Sequence, residues 1–319
     1  MLENEKYLND VKEKMTLILS SAPKVLKPVM EDLAKAQGKF VRAKVVIETA
    51  IALFNKNNNF DDKTIEKVIN IGAAIELLHL ATLVHDDVID DAPLRRGIES
   101  TQSKYGKKVA VIAGDYLFTK CFTLISNNSI KNMEYFSKAV GVICAGEAFQ
   151  LEHNMDFDLT YNDYRNIIAG KTAALFSLSM YAVGVELKES DEISERLGRA
   201  GYYMGLVFQM VDDCLDYGGE EEKAKKLVIK DLKEGVITYP LIHTFSKKPE
   251  LKELINKDFS LENITLIIGE VHRLNGVKAT MDLAKKYYDL ATKKIINSVG
   301  KENSNELLGI LNKVYIRES

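Results

Sequence analysis

The stretch from Glu76 to Asp91, ELLHLATLVHDDVIDD, constrains the fold of this chain more than any other. Apolar residues in and before it fall on every side of a helix, and no basic residue occurs between Lys67 and Arg95. A helix that is apolar all round has to be buried. It nevertheless ends in four carboxylates, which are costly in an interior unless cations meet them. The sequence therefore predicts a central, buried helix with a cation site at its acidic end.

Composition indicates a globular, cytoplasmic protein. The chain has 319 residues, 46% of them hydrophobic, and its net charge of −3 gives no reason to expect a nucleic-acid surface. Cys121, Cys144 and Cys214 show no CxxC spacing and are predicted to be reduced core thiols of a cytoplasmic protein. The charged N-terminus lacks the apolar core of a signal peptide. No uncharged apolar run approaches the length of a bilayer span, so no transmembrane segment is expected.

Helical periodicity covers most of the chain. Helices are predicted over residues 2–19, 24–36, 63–91, 109–125, 130–153, 191–217 and 303–316, with a buried one after Gly38 and two or three within 236–298. Two shorter helices are expected within 161–187, around Gly170-Lys171-Thr172. No alternating run rich in Val, Ile or Thr occurs, and no long Gly/Ser/Pro linker divides the chain. We therefore expect one all-α domain over residues 1–319.

The acidic cluster has a second copy 126 residues later. Asp86-Asp87-Val88-Ile89-Asp90 and Asp212-Asp213-Cys214-Leu215-Asp216 share the pattern DDxxD, and each follows an apolar helical segment. The first and last Asp of each motif lie on one helix face, where like charges destabilise the helix. Oxygen-only ligands favour hard cations, and Mg²⁺ prefers a few carboxylates together with phosphate oxygens. The pair of motifs therefore predicts Mg²⁺ ions that hold a diphosphate from two sides.

A single DDxxD is more often a solvated helix end, and a plain Mg²⁺-binding bundle stays an alternative for the pair. Basic groups favour the diphosphate interpretation, because Arg and Lys supply the donors that phosphate oxygens accept. They comprise Lys39, Arg42, Arg95, Arg96, Lys171, Lys225, Lys226, Lys230 and Lys233. The charged loop at 218–229 is interpreted either as a solvated linker or as a lid.

With these residues assembled, the sequence strongly resembles the trans-prenyltransferases, or polyprenyl diphosphate synthases, most of all the heptaprenyl and octaprenyl type. The segments that carry the resemblance are IELLHLATLVHDDVIDDAPLRRG, KYGKKVAVIAGDYLFTKCF, GKTAALF, FQMVDDCLDY and DLKEGVITYPLI, in family order. The resemblance implies an isoprenoid-synthase fold around a deep central cavity, a homodimer, and Mg²⁺ as cofactor, three ions per active site. It also implies head-to-tail condensation of isopentenyl diphosphate with an allylic prenyl diphosphate.

The resemblance further implies a role for individual residues. The implied metal ligands are Asp86, Asp90 and Asp212, with Asp87 and Asp216 supporting the cluster and Asp216 completing the metal set. The implied ligands of isopentenyl diphosphate are Lys39, Arg42, His79 and Arg96, and those of the allylic diphosphate are Arg95, Lys171 and Lys226. Thr172 and Gln209 would line the site near the reacting carbons, so the implied catalytic set joins Lys171, Thr172 and Gln209 to Asp86, Asp90 and Asp212.

Two features of this chain bear on how far the roles of the family's residues apply to it. The first basic loop of the family reads GGxxxRP, whereas this chain has QGKFVRA, with Gln37 for a glycine and Ala43 for the proline. A histidine on an apolar helix is usually a core residue. His79 lies two turns before Asp86 on the same face, and the resemblance implies that it binds substrate. His85 has no role in the motif and is expected to be structural.

The body of the acidic helix is predicted to limit the length of the product. The residues assigned to this role are Ala81, Leu78, Phe118 and Phe122. The resemblance implies that a large aromatic residue at position 81 stops elongation early, whereas alanine leaves the path open. We therefore expect a product of about C30–C40, with heptaprenyl favoured, because the depth of the pocket fixes what it can hold.

Several alternatives stay open at this point. A short-chain farnesyl or geranylgeranyl diphosphate synthase is the nearest. The large subunit of a two-component synthase, which needs a small second subunit, is another. A class I terpene cyclase shares the fold, but the resemblance implies a different second motif there. A non-catalytic partner subunit usually loses one DDxxD, and both are present here.

Replacing Asp86 with Ala should abolish turnover, because it removes the first carboxylate of the metal motif. Steady-state rates with isopentenyl and allylic diphosphates measure this. Near-normal rates in Asp86→Ala would contradict the metal assignment.

Overall fold

The computed structural model describes residues 3–36, 38–57, 61–95, 97–218, 232, 234–257 and 259–316. The short helix Thr101–Tyr105 lies between longer helices in the first half of the chain. In order, the helices are α1 Glu3–Ser20, α2 Lys27–Lys35, α3 Val41–Asn57, α4 Asp62–Ile89, α5 Thr101–Tyr105, α6 Lys107–Ser126, α7 Ile130–Glu152, α8 Tyr161–Ile168, α9 Ala174–Glu186, α10 Asp191–Leu215, α11 Tyr239–Lys247, α12 Glu250–Lys257, α13 Leu261–Arg273, α14 Gly276–Val299 and α15 Asn305–Tyr315.

The all-α prediction is confirmed, and the helix bounds differ from the predicted ones by a few residues. A short hairpin follows α4, in which β1 (Leu94–Arg95) pairs antiparallel with β2 (Ile98–Glu99). Cys121 and Cys214 are buried as expected, but Cys144 is exposed on α7, so its prediction as a core thiol was wrong. An apolar sequence context does not fix which face of a half-buried helix a side chain occupies.

The described chain divides into two compact units. Unit 1 comprises residues 1–138, 178–198 and 296–307, and unit 2 comprises residues 139–177, 199–295 and 308–319. Helices α7, α9, α10, α14 and α15 contribute residues to both units. The single domain expected over residues 1–319 therefore stays a prediction.

Helix α4 is the central element of unit 1. It begins after Asp61, whose side chain accepts the backbone N–H of Thr64 and so caps the first turn. It ends at Ile89 with Asp90 as its C-cap, and the following Asp91 has a positive φ of 50°, which a helix cannot continue through. Side chains on all sides of it are buried, and it packs against α1, α3 and α6. The prediction of a central helix that is buried all round is thus confirmed.

A π-helical turn, Ala169–Ala173, interrupts the run of α8 into α9. Close backbone packing accompanies it: a Cβ on Gly146 would lie 2.7 Å from the Cα of Gly170, and one on Gly205 would lie 2.5 Å from the Cα of Ala173. Only glycine fits such approaches. The two shorter helices predicted around Gly170-Lys171-Thr172 are confirmed, and α7 and α10 clamp the turn between them.

Three described segments are long and apolar enough to cross a bilayer by length and composition alone: Asp62–Ile89, Lys107–Ser126 and Tyr161–Glu186. The sequence expectation of no transmembrane segment rested on uncharged runs, which is a stricter criterion. Within the structure, 61% and 83% of the apolar windows of the first and third are buried, against 39% for α6. Helix α6 therefore leaves much of its apolar surface exposed, including Ile112 and Phe122.

A buried carboxylate ties four parts of unit 1 together. Glu186, at the end of α9, accepts hydrogen bonds from Lys67 Nζ at 2.6 Å, Asn132 Nδ2 at 2.9 Å, Asn128 Nδ2 at 3.2 Å and the backbone N–H of Ser129 at 3.2 Å. Burial raises the pKa of this carboxyl, but the hydrogen bonds from Lys67 and Ser129 outweigh burial and lower it overall. The start of α4 and the α6–α7 connection are thereby fixed to α9.

Replacing Glu186 with Ala should lower the free energy of unfolding by about 2–3 kcal/mol, because several buried donors and a partly exposed lysine lose their acceptor. Urea denaturation at neutral pH measures this. Since the folded pKa lies below the unfolded one, the loss should shrink as the pH falls below about 4. The exposed pair of Glu192 with Arg196 is the control, and Glu192→Ala should cost no more than about 0.5 kcal/mol. Equal losses in the two variants would contradict this role.

Candidate active site

Both acidic motifs straddle the C-terminus of a helix. Asp86 lies in the last turn of α4 and Asp90 is its C-cap, while Asp212 lies in the last turn of α10 and Asp216 follows its end. The C-terminus of a helix carries a partial negative charge, so carboxylates there are unfavourable without a cation. Asp86, Asp212 and Asp216 are half-buried and Asp90 is exposed. Each motif thus presents its first and fifth carboxylates at a position that calls for positive charge.

The second aspartate of the first motif has a structural partner. Asp87 is buried, and the Arg95 Nε–H donates to both of its oxygens, at 2.8 and 2.9 Å. The backbone N–H of Ala92 bonds the carbonyl of Asp87 at 3.0 Å, which closes the chain back onto the helix end. The structure therefore places Arg95, predicted to hold the allylic diphosphate, on the motif itself.

The two histidines of α4 occupy different environments. His85 Nε2 lies 3.1 Å from the carbonyl of Val111, and the ring packs on Gly114, where any Cβ would clash with it at 2.1 Å. The expectation that His85 is structural agrees with this contact between α4 and α6. His79 is half-buried rather than enclosed in the core, and its carbonyl accepts the Thr82 hydroxyl. Its assignment to substrate stays a prediction.

The second motif contains a chain of hydrogen bonds that belongs wholly to unit 2. The Thr172 hydroxyl donates to Gln209 Oε1 at 2.7 Å, and Gln209 Nε2 donates to Asp213 Oδ1 at 2.9 Å. The Tyr164 hydroxyl donates to the other oxygen, Asp213 Oδ2, at 2.5 Å. The structure therefore brings the predicted pair Thr172 and Gln209 together. It anchors that pair to the buried second aspartate of the motif.

Electrostatics at Asp213 reflect this burial. Loss of water raises the pKa of the Asp213 carboxyl to about 7, and the neighbouring charges of Asp212 and Asp216 add to the rise. Hydrogen bonds from Tyr164 and Gln209 act in the opposite direction. Burial likewise raises the pKa of the Tyr164 phenol, so it stays a donor at physiological pH. The two donors are what make a carboxyl at this buried position tolerable.

Lys171 is held by a carboxylate that the sequence did not single out. Its Nζ lies 2.9 Å from Glu147 Oε2, and both side chains are about one quarter exposed or less. Glu147 follows Gly146, whose packing against Gly170 brings α7 next to the π-turn that carries the lysine. A π-turn inside a helical run is frequently found at functional sites. From this turn, Lys171 contacts α7 through Glu147, and Thr172 contacts α10 through Gln209.

The remaining predicted residues are placed as follows. Lys39 is exposed and Arg42 is buried at the start of α3, whereas Arg96, Lys226 and all but the first residue of the 218–229 loop lie outside the described residues. Of the residues assigned to product length, Ala81 and Leu78 are fully buried in α4. The Phe118 ring lies 5.6 Å from the His85 ring, and Phe122 is 37% exposed, with its ring edge-on to Phe136.

Sequence reasoning missed three residues of this region. Tyr164 gave no signal, because a tyrosine on an amphipathic helix is usually packing. Glu147 was detectable as a lone acid in an apolar helix beside a glycine. Glu76 stood in the organising stretch but received no role. Its side chain is buried and accepts the backbone N–H of Ala43 at 2.9 Å.

The donor set of the motifs suits Mg²⁺. The accessible groups of each motif are carboxylate oxygens, and the second aspartate in each is engaged by protein donors rather than presented to solvent. Within the part of the chain that the structure describes, no three His, Cys, Asp or Glu side chains gather into a metal cage. Mg²⁺ commonly completes its shell with phosphate oxygens and water, so two carboxylates from a motif are an adequate share.

Replacing Tyr164 with Phe should lower the free energy of unfolding by about 1–3 kcal/mol, because a buried carboxylate loses a donor. Turnover should fall as well, because Asp213 loses one of the two donors that hold it in place beside Gln209. Thermal unfolding and steady-state kinetics measure the two effects. Tyr161→Phe is the matched control, since that hydroxyl lies on the same helix and bonds the Tyr287 hydroxyl, at 2.6 Å, rather than the motif. Identical behaviour of the two variants would show that the phenol–carboxylate bond is unimportant.

Comparison with known proteins places the chain in a family. The sequence model described as polyprenyl synthetase matches residues 23–270. A geranylgeranyl diphosphate synthase of Saccharolobus solfataricus is 31% identical over 90% of this chain and 88% of its own length. Heptaprenyl diphosphate synthase component 2 of Bacillus subtilis is 31% identical over 82% of this chain and 74% of its own.

A solved structure agrees with the assignment of fold. Geranylgeranyl pyrophosphate synthase of Lactobacillus brevis superposes with a TM-score of 0.90 at 30% identity, over 99% of this chain and 98% of that one. The fold is therefore the all-α isoprenoid-synthase fold, as the resemblance implied. With two DDxxD motifs at helix ends and this breadth of similarity, the chain belongs to the polyprenyl synthetase family and is a prenyl-transferring enzyme, a trans-polyprenyl diphosphate synthase.

Proposed function

We propose that this enzyme makes an all-trans polyprenyl diphosphate of about C30–C40, with heptaprenyl favoured, the length being set by the depth of its pocket. The reaction is head-to-tail condensation of isopentenyl diphosphate with an allylic prenyl diphosphate. The observation that carries the chemistry is the shared design of the two motifs. In each, the second aspartate is buried and bonded, while the first and fifth stand at the negative end of a helix.

Asp86 and Asp90 on α4, and Asp212 with Asp216 on α10, would hold Mg²⁺, three ions per active site as the family resemblance implies. Bound Mg²⁺ supplies positive charge that stabilises the leaving diphosphate. Lys171 assists by donating to the diphosphate once it exchanges Glu147 for a phosphate oxygen. Arg95 keeps Asp87 in place and contributes its remaining guanidinium donors to the allylic diphosphate.

The other residues act on the second substrate and on the reacting carbons. Lys39, Arg42, His79 and Arg96 orient isopentenyl diphosphate so that its double bond attacks the allylic carbon as the C–O bond breaks. Thr172 and Gln209, fixed through Asp213, present their oxygens near the developing positive charge. The proton lost from the condensed product passes to the departing diphosphate. An apolar surrounding keeps water away from the cation.

The small side chain at position 81 supports the longer product. Ala81 and Leu78 lie on α4 one turn and two turns from His85, which marks the face that packs on α6. With alanine there, the tail can extend along α4 away from the acidic end. Phe118 lies near His85 at the top of this path, and Phe122 lies further along α6, so these two residues would border the tail.

A short-chain product is the second candidate, because the named relatives include geranylgeranyl as well as heptaprenyl synthases at the same identity. A two-component enzyme is also supported, since the Bacillus subtilis relative is named as component 2 of a heptaprenyl synthase. The two questions are separate. The first concerns the depth of the pocket, and the second concerns whether the chain elongates alone.

We propose that the enzyme is a cytoplasmic homodimer that delivers its product to the membrane. In unit 1, α6 exposes Val111, Ile112 and Phe122. In unit 2, α7 exposes Val142 and Leu151. Exposed apolar residues on long helices favour burial against a second copy of the chain. The predicted small second subunit would be an additional partner.

Incubation of the purified chain with Mg²⁺, isopentenyl diphosphate and farnesyl diphosphate tests the proposal, with mass spectrometry of the products. Polyprenyl diphosphates of about C30–C40 support it. A product that stops at C20 identifies the short-chain candidate. Elongation that needs an added small subunit identifies a two-component enzyme. No elongation in either case contradicts the proposal.

Replacing Ala81 with Tyr should shift the product to shorter chains, because the ring fills the path beside α4. Product mass spectra at matched turnover measure the shift. Ala81→Ser is the control, since it adds one hydroxyl and should leave the distribution unchanged. An unaltered distribution in Ala81→Tyr would contradict the placement of the tail along α4.

A further inference from the structure

The start of α3 has no cap from its own sequence neighbours among the described residues. The first N–H groups of a helix need acceptors from outside the helix. The residue before α3 is Phe40, whose side chain offers none. Phe40 is also buried and has a positive φ of 52°, a conformation that costs an aromatic residue free energy and persists only where neighbours enforce it.

Glu76 supplies the missing acceptor from another helix. Its Oε1 accepts the backbone N–H of Ala43 at 2.9 Å, and the backbone N–H of Arg42 also bonds this carboxyl. A carboxylate at a helix N-terminus interacts favourably with the positive end of the helix dipole. Glu76 thus caps α3 from α4, across 33 residues of sequence.

The charge of Arg42 adds to this contact. Burial raises the pKa of the Glu76 carboxyl, and the attraction of the Arg42 guanidinium and the two backbone N–H groups offset only part of that rise. A buried carboxyl is retained at a position such as this only where its donors compensate for lost water. The donors here all come from the segment that carries Lys39 and Arg42.

We infer that Glu76 is a positioning residue for isopentenyl diphosphate, acting through Lys39 and Arg42 rather than touching substrate. The inference rests on the proposed function, which assigns those two cations to that substrate. Glu76 lies one turn before His79 on α4, so a single rigid helix fixes three ligands of the same diphosphate. Without the carboxylate, the backbone at residues 38–43 loses the contact that holds its strained conformation.

The test compares Glu76→Gln with Glu48→Gln. Glu48 lies on α3, is as little exposed as Glu76, and accepts a hydrogen bond from Asn4 Nδ2 at 2.9 Å. Glu48→Gln therefore measures the effect of removing a buried carboxylate charge from unit 1 while the cap of α3 stays intact. Calorimetric titration with isopentenyl diphosphate alone measures binding without turnover. Steady-state kinetics then separate the KM values for the two substrates, and Arg42→Ala completes a double-mutant cycle with Glu76→Gln.

Glu76→Gln should weaken isopentenyl diphosphate binding and raise its KM about tenfold, in line with losing a charged hydrogen-bond acceptor. The KM for the allylic diphosphate should stay within about twofold, and the effects of Glu76→Gln and Arg42→Ala should not add. Wild-type affinity in Glu76→Gln, or an equal loss in Glu48→Gln, overturns the inference and leaves the proposed function standing. No binding of isopentenyl diphosphate by the wild-type chain overturns both.

Discussion

Carboxylates at the C-terminus of a buried helix are the constraint on which the rest of this structure depends. The helix dipole places partial negative charge where α4 and α10 each carry a DDxxD motif. Local protein donors relieve only part of the repulsion. They engage Asp87 and Asp213, the second aspartate of each motif. The first and fifth aspartates of each motif stand at the negative end of the helix, and the same arrangement occurs in each unit.

The donors that hold the second aspartate differ between the two motifs. Arg95 neutralises Asp87 with a full charge, whereas Asp213 has only the neutral donors of Tyr164 and Gln209. The second arrangement has a use that the first lacks, because Gln209 is also the acceptor of the Thr172 hydroxyl. A buried acid thereby fixes two uncharged groups, which we propose to lie near the cationic carbon.

Sequence patterns predicted the parts of this molecule that depend on local spacing. The buried helix α4, the break at Gly170 and the DDxxD motifs at helix ends follow from periodicity, glycine and charge repetition, which are properties of neighbouring residues. The bond from Tyr164 to Asp213 joins residues 49 apart, and that from Ala43 to Glu76 joins residues 33 apart. No periodicity encodes such pairs, because they depend on how helices pack. The prediction that Cys144 is a core thiol was wrong for a related reason, because the sequence of an apolar helix does not show which of its faces is covered.

Helix α4 carries most of the residues to which we assign a role in the reaction. Its acidic end presents Asp86 and Asp90, its middle carries His79 and holds α3 through Glu76, and its body passes Ala81 and Leu78. Crystals grown with Mn²⁺ and a non-hydrolysable allylic thiolodiphosphate test this account most directly, by anomalous scattering at the manganese edge. The account predicts metal peaks that bridge the diphosphate to Asp86 and Asp90 and to Asp212. A bound diphosphate with no metal at these carboxylates would contradict it.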